Sequence, residues 1–495
     1  MKRSLAAIPA LAAFLALAAP AAAQTPAVQT AIVHHAVSAN PQAQAAFDRG
    51  LLNYYAYNPE AAEHEFYTAS DLDPQAAMAW WGIALSNAPN LNVPPNDGRD
   101  GKARAAIRHA KSLESYASPE DRAFIDAAAA RFDDTTKAKL ETLQANYRDA
   151  LKSIAATYPD DPDAAALYAE AALYVAAGDS RAERDTWTDA HRAAFTAGVA
   201  ALLPYYQLEL AKFPKHVGLL HFYVHAAQMA SESQVAVAAA VQLGAFTFPS
   251  EDSHLTHMPG HTYFDVGMYP EALDVGQRSV AMDYADFACC HPGYYSATRY
   301  YHNHNVIFVL YAMTQTGHLS EAVALARREN NPAFIARQLV AIGDWKDVEA
   351  VRYVKGSDPT VPFARALAYA KLGDAADASA AIAEIPNAPA DSPSRAATVD
   401  AMRLAAGAQL AILEHDDAKA LQMLTTASAQ ASAGDRLAGG VEMPTLYYYS
   451  PHMALAELAI RMGKTDVAAA ALQAELAASP RSSAALQALA NVHAP

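Results

Sequence analysis

Apolar residues recur at three- and four-residue intervals through most of the chain, and short breaks rich in Gly, Pro, Asn or Asp separate one run from the next. That spacing predicts amphipathic helices joined by tight turns rather than alternating strands. Between Gly50 and Pro74, the residues Gly50, Ala62, Phe66, Ala69 and Pro74 hold the small, aromatic and proline places of a helix–turn–helix unit, one that repeats about every 34 residues. Gly260, Tyr263, Gly267, Tyr269 and Ala272 follow the same order, and Gly317, Leu319 and Ala322 begin the next unit. Ala366, Tyr369, Gly373 and Ala378 supply another, and Gly463, Ala468 and Pro480 a C-terminal copy. Small residues let two antiparallel helices approach, aromatics fill the space between pairs, and proline ends the second helix. One pair cannot bury its apolar face alone. Stacked pairs can, which predicts an all-α solenoid curved around a concave groove.

This pattern resembles the tetratricopeptide repeat (TPR) family over most of residues 40 to 490, in degenerate form. The resemblance implies a superhelix of antiparallel helix pairs and no particular activity, because such arrays host unrelated functions. Interruptions are expected at 87–101, 385–393 and 433–444, where Pro, Asn and Gly gather. A soft boundary near 385–397 divides a TPR-like array over 24–385 from C-terminal TPR-like repeats over 398–495. The segment 284–300 carries about sixteen residues more than one repeat needs.

Composition agrees with helix: the chain of 495 residues has 53% hydrophobic residues, abundant Ala and only 21 Gly. Its 52 Asp and Glu against 36 Lys and Arg give a net charge of −16. That excess repels phosphate backbones, so nucleic acid is not an expected partner. At the N-terminus Lys2 and Arg3 precede an uncharged stretch from Ser4 to Ala23 that ends in Pro20, Ala21, Ala22 and Ala23. A positive start, an apolar middle and a small-residue end are the parts of a secretory signal, which predicts residues 1–23 as a signal peptide cleaved after Ala23. The rival reading is an uncleaved anchor, against which Pro9, Pro20 and the weak hydropathy of Ala argue. The expected product is periplasmic or secreted, without stable membrane insertion. The two cysteines, Cys289 and Cys290, are adjacent. Neighbouring Cα atoms about 3.8 Å apart are too close for ordinary disulfide geometry. With His291 the pair reads either as small thiols beside a turn or as soft metal ligands.

The histidines carry the strongest chemical signal. Eight of the eighteen lie between His221 and His304, where an even spread would place about three. They come as HFYVH (His221, His225), HLTHMPGH (His254, His257, His261) and HNH (His302, His304). At about 100° per residue, His221 and His225 sit roughly 40° apart, and His254, His257 and His261 fall within roughly 60°. His302 and His304 point about 200° apart, so only one can join such a face. In the register of Gly260 and Gly267, His254, His257 and His261 take the second, fifth and ninth places of the unit and Asp265 the thirteenth. The TPR resemblance implies that these places face the groove. His221 and His225 precede His257 and His261 by 36 residues, and His304 takes the second place of the next unit. Three successive inner helices are therefore expected to aim imidazoles at one patch.

Converging imidazoles suit a transition metal such as Zn, Cu, Fe or Ni. The candidate metal ligands are His221, His225, His254, His257, His261 and His304, with Asp265 as a further ligand or as an acceptor for an imidazole N–H. HFYVH lacks the glutamate of HExxH zinc hydrolases, so their mechanism does not transfer. Pro259 must start or kink the helix carrying His261. His216, His291, His302 and His318 read instead as ordinary hydrogen-bonded residues.

The segments HFYVHAAQ, HLTHMPGHTYFDVGMYPEA and YYHNHN, with DPQAAMAWWGIAL nearer the N-terminus, are similar to a group of large bacterial TPR-like proteins. That resemblance implies the fold and a joint role for His221, His225, His257, His261 and His304; it implies no activity. His254 and Asp265 enter from helical phase alone.

No phosphate-cradling loop, dinucleotide fingerprint or nucleophile elbow appears. Trp80, Trp81, Tyr54, Tyr55, Tyr57 and Tyr447 to Tyr449 read as packing between repeats. Glu170 lies on a face turned away from the groove, a remote carboxylate at most. Two functions remain. One is an exported metalloprotein, a metal-dependent oxidase or hydrolase acting on a small molecule or peptide in the groove. The other is a periplasmic adaptor whose groove holds a peptide or partner protein without catalysis.

Overall fold

The computed structural model describes residues 29–31, 33–133, 138–178, 186–289, 295–356, 358–388, 391–438 and 446–492. The leader, the Cys289 side chain, Cys290 and His291 lie outside the described residues. What is described is an all-α, TPR-like solenoid in which consecutive helices pack as antiparallel pairs. One two-residue parallel strand pair interrupts it, Gln29–Thr30 against Phe246–Thr247.

Local chemistry sets the helix ends. Asn40 and Asn58 accept backbone N–H groups from the first turns of the Pro41–Tyr55 and Pro59–Leu72 helices, each of which begins with proline. Ser118 and Asp121 form a reciprocal capping box at the start of Pro119–Arg131. The Thr360–Leu372 helix stops at Gly373, whose φ of +92° L side chains rarely adopt.

The small-residue places work as the pattern predicts. The ring of Phe66 lies so close to two neighbouring helices that a Cβ built at Gly50 would sit 2.7 Å from it, and one at Gly82 would sit 2.5 Å away. Phe66 thereby joins three successive helices, Pro41–Tyr55, Pro59–Leu72 and Ala77–Ser86. The pairs expected around Gly267, Gly317, Gly373 and Gly463 are also present. The surplus in 284–300 goes largely into length: Tyr269–Cys289 and Tyr295–Thr316 are helices of 21 and 22 residues.

Three apolar cores run in sequence along the array. The first reaches from Val33 to Phe334, the second from Ala336 to Tyr448, and the third from Ala408 to Ala485. Pro393–Leu413, the one described helix long and apolar enough to cross a membrane, has 56% of its apolar window buried and packs on Asp417–Ala438. The C-terminal end curls back onto the histidine-bearing helices. The Ser479 and Tyr311 hydroxyls are 2.9 Å apart, and the Pro480 carbonyl abuts Gly267, whose φ of +73° turns the backbone there. That closure walls a groove beside the histidines.

Candidate metal centre

Val217–Met229 is a helix buried on every side. His216 caps it, its Nδ1 accepting the Leu219 N–H while Nε2 meets Asp163 at 3.1 Å. Gly218 admits the ring of Tyr55, which a Cβ would meet at 2.7 Å. This close approach brings the Tyr55 carbonyl to His221, whose Nδ1 lies 2.6 Å from it. A carbonyl only accepts, so Nδ1 carries the proton and Nε2 keeps its lone pair. Nε2 of His221 is buried without a hydrogen-bond partner.

The HLTHMPGH segment resolves into two short helices. Ser253–His257 ends at Met258, and Pro259–Asp265 starts with its proline in the first helical position. Met258 between them keeps helical φ and ψ, so Pro259 opens a second run of helical hydrogen bonds directly after the first. His304 comes from Tyr295–Thr316.

The sequence predicts one patch, whereas the structure divides the six histidines into two trios. His221, His225 and His254 offer ligand nitrogens within 4.8 Å of one another, and so do His257, His261 and His304. The trios adjoin, with ring centroids 6.3 Å apart for His254 and His257 and 6.5 Å apart for His225 and His261. In the second trio, Nε2 of His261 lies 3.0 Å from Nε2 of His257 and 3.3 Å from Nε2 of His304. All six side chains are buried except His304, which is partly exposed.

Aromatic rings enclose both groups. Phe308 lies with its centroid 4.5 to 4.7 Å from those of His257, His261 and His304. Tyr301 stacks on His254 at 4.2 Å, and the Tyr57 ring is 4.9, 5.9 and 6.4 Å from His221, His225 and His254. Asn92 places its side-chain amide 3.3 Å from Nε2 of His254, and the ring's Nδ1 is buried without a partner. The Asn92 amide N–H donates to that Nε2 and also lies 3.1 Å from the Tyr301 hydroxyl.

Burial sets the charge state. It lowers His221 to about 4 against a weak upward pull from the Tyr55 carbonyl. Burial, then the neighbouring imidazoles, hold His254 and His257 well below the ordinary histidine range. Near neutral pH these rings are uncharged, the form that ligates a metal.

Asp265 does not join either trio. Its carboxylate accepts the Ser233 hydroxyl at 2.5 Å and a hydrogen bond from Gln228. Although Asp265 is exposed on the groove wall, the protein around it removes enough water to push it up to about 6. Of the HNH pair, His304 joins and His302 turns away to Asp283 at 3.1 Å and Glu329 at 3.0 Å. His318 meets the Thr316 hydroxyl at 2.9 Å.

A groove of about 630 Å³ opens beside the second trio. His261, Phe264, Phe308 and Tyr311 line its inner part, with Asp265, Asp435, Arg436 and Arg481 also on its walls. Its size suits a small molecule or a short peptide segment.

Sequence reasoning missed the parts that hold the rings: Asn92 from an interrupting loop, Tyr301 beside His302, and the carbonyl of Tyr55. Tyr57, read as packing, does pack, but on imidazoles. Glu170 is fully buried, and burial, opposed by Arg131 and Tyr54, raises it to about 7. A third cluster, His35 with Asp161 and Asp163, also brings ligand atoms within 4.8 Å. There His35 already pairs with Asp121 at 2.9 Å and Asp163 at 3.5 Å.

No protein-family model and no curated protein matches the sequence. Among solved structures the chain is similar to the Cut9–Hcn1 hetero-tetramer of APC/C, with 13% identity, a TM-score of 0.30 and coverage of 91% of this chain and 90% of that one. It is also similar to the human IFIT1 dimer with m7Gppp-AAAA, at 12% identity, a TM-score of 0.32 and 91% of each chain. Yeast Tom70 gives 12% identity, a TM-score of 0.25, and 90% and 86% coverage. Likeness this loose carries no argument about function.

Proposed function

We propose that the protein is an exported metalloprotein whose histidines bind a transition metal, and that the metal promotes oxidation or hydrolysis of a small molecule in the adjoining groove. The carrying observation is the convergence of six imidazoles, five of them buried, from four helices into trios whose nitrogens lie within 4.8 Å. Neutral imidazoles without a carboxylate suit Zn, Cu, Fe or Ni better than Mg, Ca or Mn, which favour oxygen ligands. The spacing supports this reading. Ligands in a tetrahedral zinc site lie about 3.3 Å apart, given Zn–N bonds of about 2.05 Å, and the outer nitrogens are separated by 3.0 and 3.3 Å.

His261 belongs both to a trio and to the groove wall, which lets a ligand in the groove reach a bound ion. Export follows from Lys2, Arg3 and the apolar run to Ala23. The test is elemental analysis of protein purified without a histidine tag, beside the His257→Ala, His261→Ala double variant. Stoichiometric metal that drops in the variant is the expected result. Only traces, unchanged between the two, would leave the groove as a peptide-binding surface and the protein as an adaptor.

A further inference from the structure

We infer that the histidines form two metal sites of unequal access: a closed inner site of His221, His225 and His254, and an outer site of His257, His261 and His304 that meets the contents of the groove. The inference rests on the metal-binding reading above and adds the number of ions and their division of labour.

Reach decides the number. An ion with metal–nitrogen bonds of about 2.1 Å spans at most about 4.2 Å between opposite ligands. The nitrogens of each trio lie within 4.8 Å of one another, no more than about 0.6 Å beyond that limit, which a small side-chain shift closes. The described residues form two such groups of three histidines, not one of six. The rings that adjoin across the boundary have centroids 6.3 and 6.5 Å apart. One ion centred on either trio lies out of bonding reach of the other trio's nitrogens.

Access separates the two. The inner imidazoles are all buried, and none lines the groove. Tyr57 covers the trio, and Tyr301 stacks on His254. The Tyr55 carbonyl locks His221 with Nε2 directed away from it, a constraint that strengthens metal retention. The outer trio contains the partly exposed His304 and the groove-lining His261. Three imidazoles with one direction open leave a coordination place for water or an oxygen or nitrogen donor of a groove ligand. The inner ion accordingly holds together the Val217–Met229 and Ser253–His257 helices, and the outer ion meets substrate.

The test uses Zn2+ alone with the tag-free full chain, stripped and reloaded, and follows release to a chromophoric chelator. Two Zn2+ per chain are expected, released in two equal phases that differ by about tenfold or more in rate. His261→Gln with His304→Gln should leave one Zn2+ and abolish the fast phase. His221→Gln with His254→Gln should leave one Zn2+ and abolish the slow phase, with the helical circular-dichroism signal confirming the fold. One Zn2+ per wild-type chain would overturn the two-site inference while sparing the metalloprotein reading, and so would two ions released in a single phase. No bound Zn2+ would sink both. The wild-type count and phases need no variant to fold.

Discussion

Nε2 of His257 lies 3.0 Å from Nε2 of His261, inside the protein and with no carboxylate in the trio. Two neutral imidazoles can share that contact only if one donates its N–H, and His304 presses a third Nε2 on the same atom at 3.3 Å. A shared cation satisfies all three lone pairs at once.

A ligand that binds the folded state alone stabilises it by mass action. Zn2+ at a hundred times its dissociation constant should raise unfolding free energy by about 2.7 kcal/mol per site. In the His257→Ala, His261→Ala variant the outer site's increment should vanish. Denaturant titration with and without Zn2+ checks this, and equal increments in both proteins would dissociate the contact from metal binding.

His302 should behave in the opposite way. Burial works against its charge, but hydrogen bonds and attraction from Asp283 and Glu329 raise its pKa. His302→Ala leaves the fully buried Asp283 without its ring partner and is expected to cost about 3 kcal/mol. Metal content should remain at the wild-type level. A metal loss as large as that of His304→Ala would show that the two positions are not distinct.

The N-terminal segment is pinned by a pH-dependent contact. Burial disfavours charge on His35, yet Asp121 and Asp163 outweigh it and raise the ring to about 10. Asp161, Glu120, His216 and Tyr55 adjoin the same cluster. An unfolded histidine titrates near 6.5, so this contribution is complete below that pH and is lost as pH climbs toward 10. Asp163, held below its ordinary range against burial by His216 and His35, gives the converse acid limb, lost as pH falls below 3.8. Unfolding free energy should decline from pH 6.5 to 10 in the wild type, and His35→Asn should lower it by about 3 kcal/mol at pH 6. The same decline in the variant would place its source elsewhere.

Phe66 tests the repeat packing. Phe66→Ala should cost about 3 to 5 kcal/mol through the cavity it opens. Gly82→Ala drives a Cβ to 2.5 Å from that ring and should cost about 1 to 3 kcal/mol. Combining Gly82→Ala with Phe66→Leu should recover part of the loss, because the smaller side chain makes room. Additive costs would mean the two residues do not press on each other.

Much of the architecture was legible in one sequence because helical repeats write themselves locally. Gly50, Phe66, Gly267 and Gly373 mark pairing positions, since helix approach and turn geometry depend on side-chain size within a few residues. Angular phase likewise predicted that only one of His302 and His304 could join the others, and His304 is the one. The choice of partners was not local. His254 and His257 share the Ser253–His257 helix, yet His254 sits with His221 and His257 with His304, a division set by the helices stacked around them, and Asp265 was claimed by Ser233 from another turn of the array. Asn92 and the Tyr55 carbonyl lie more than a hundred residues from the rings they orient. Periodicity along one helix fixes directions about its own axis. Only the stacking of separate helices decides which nitrogens meet, and that placed two trios where the sequence suggested one patch.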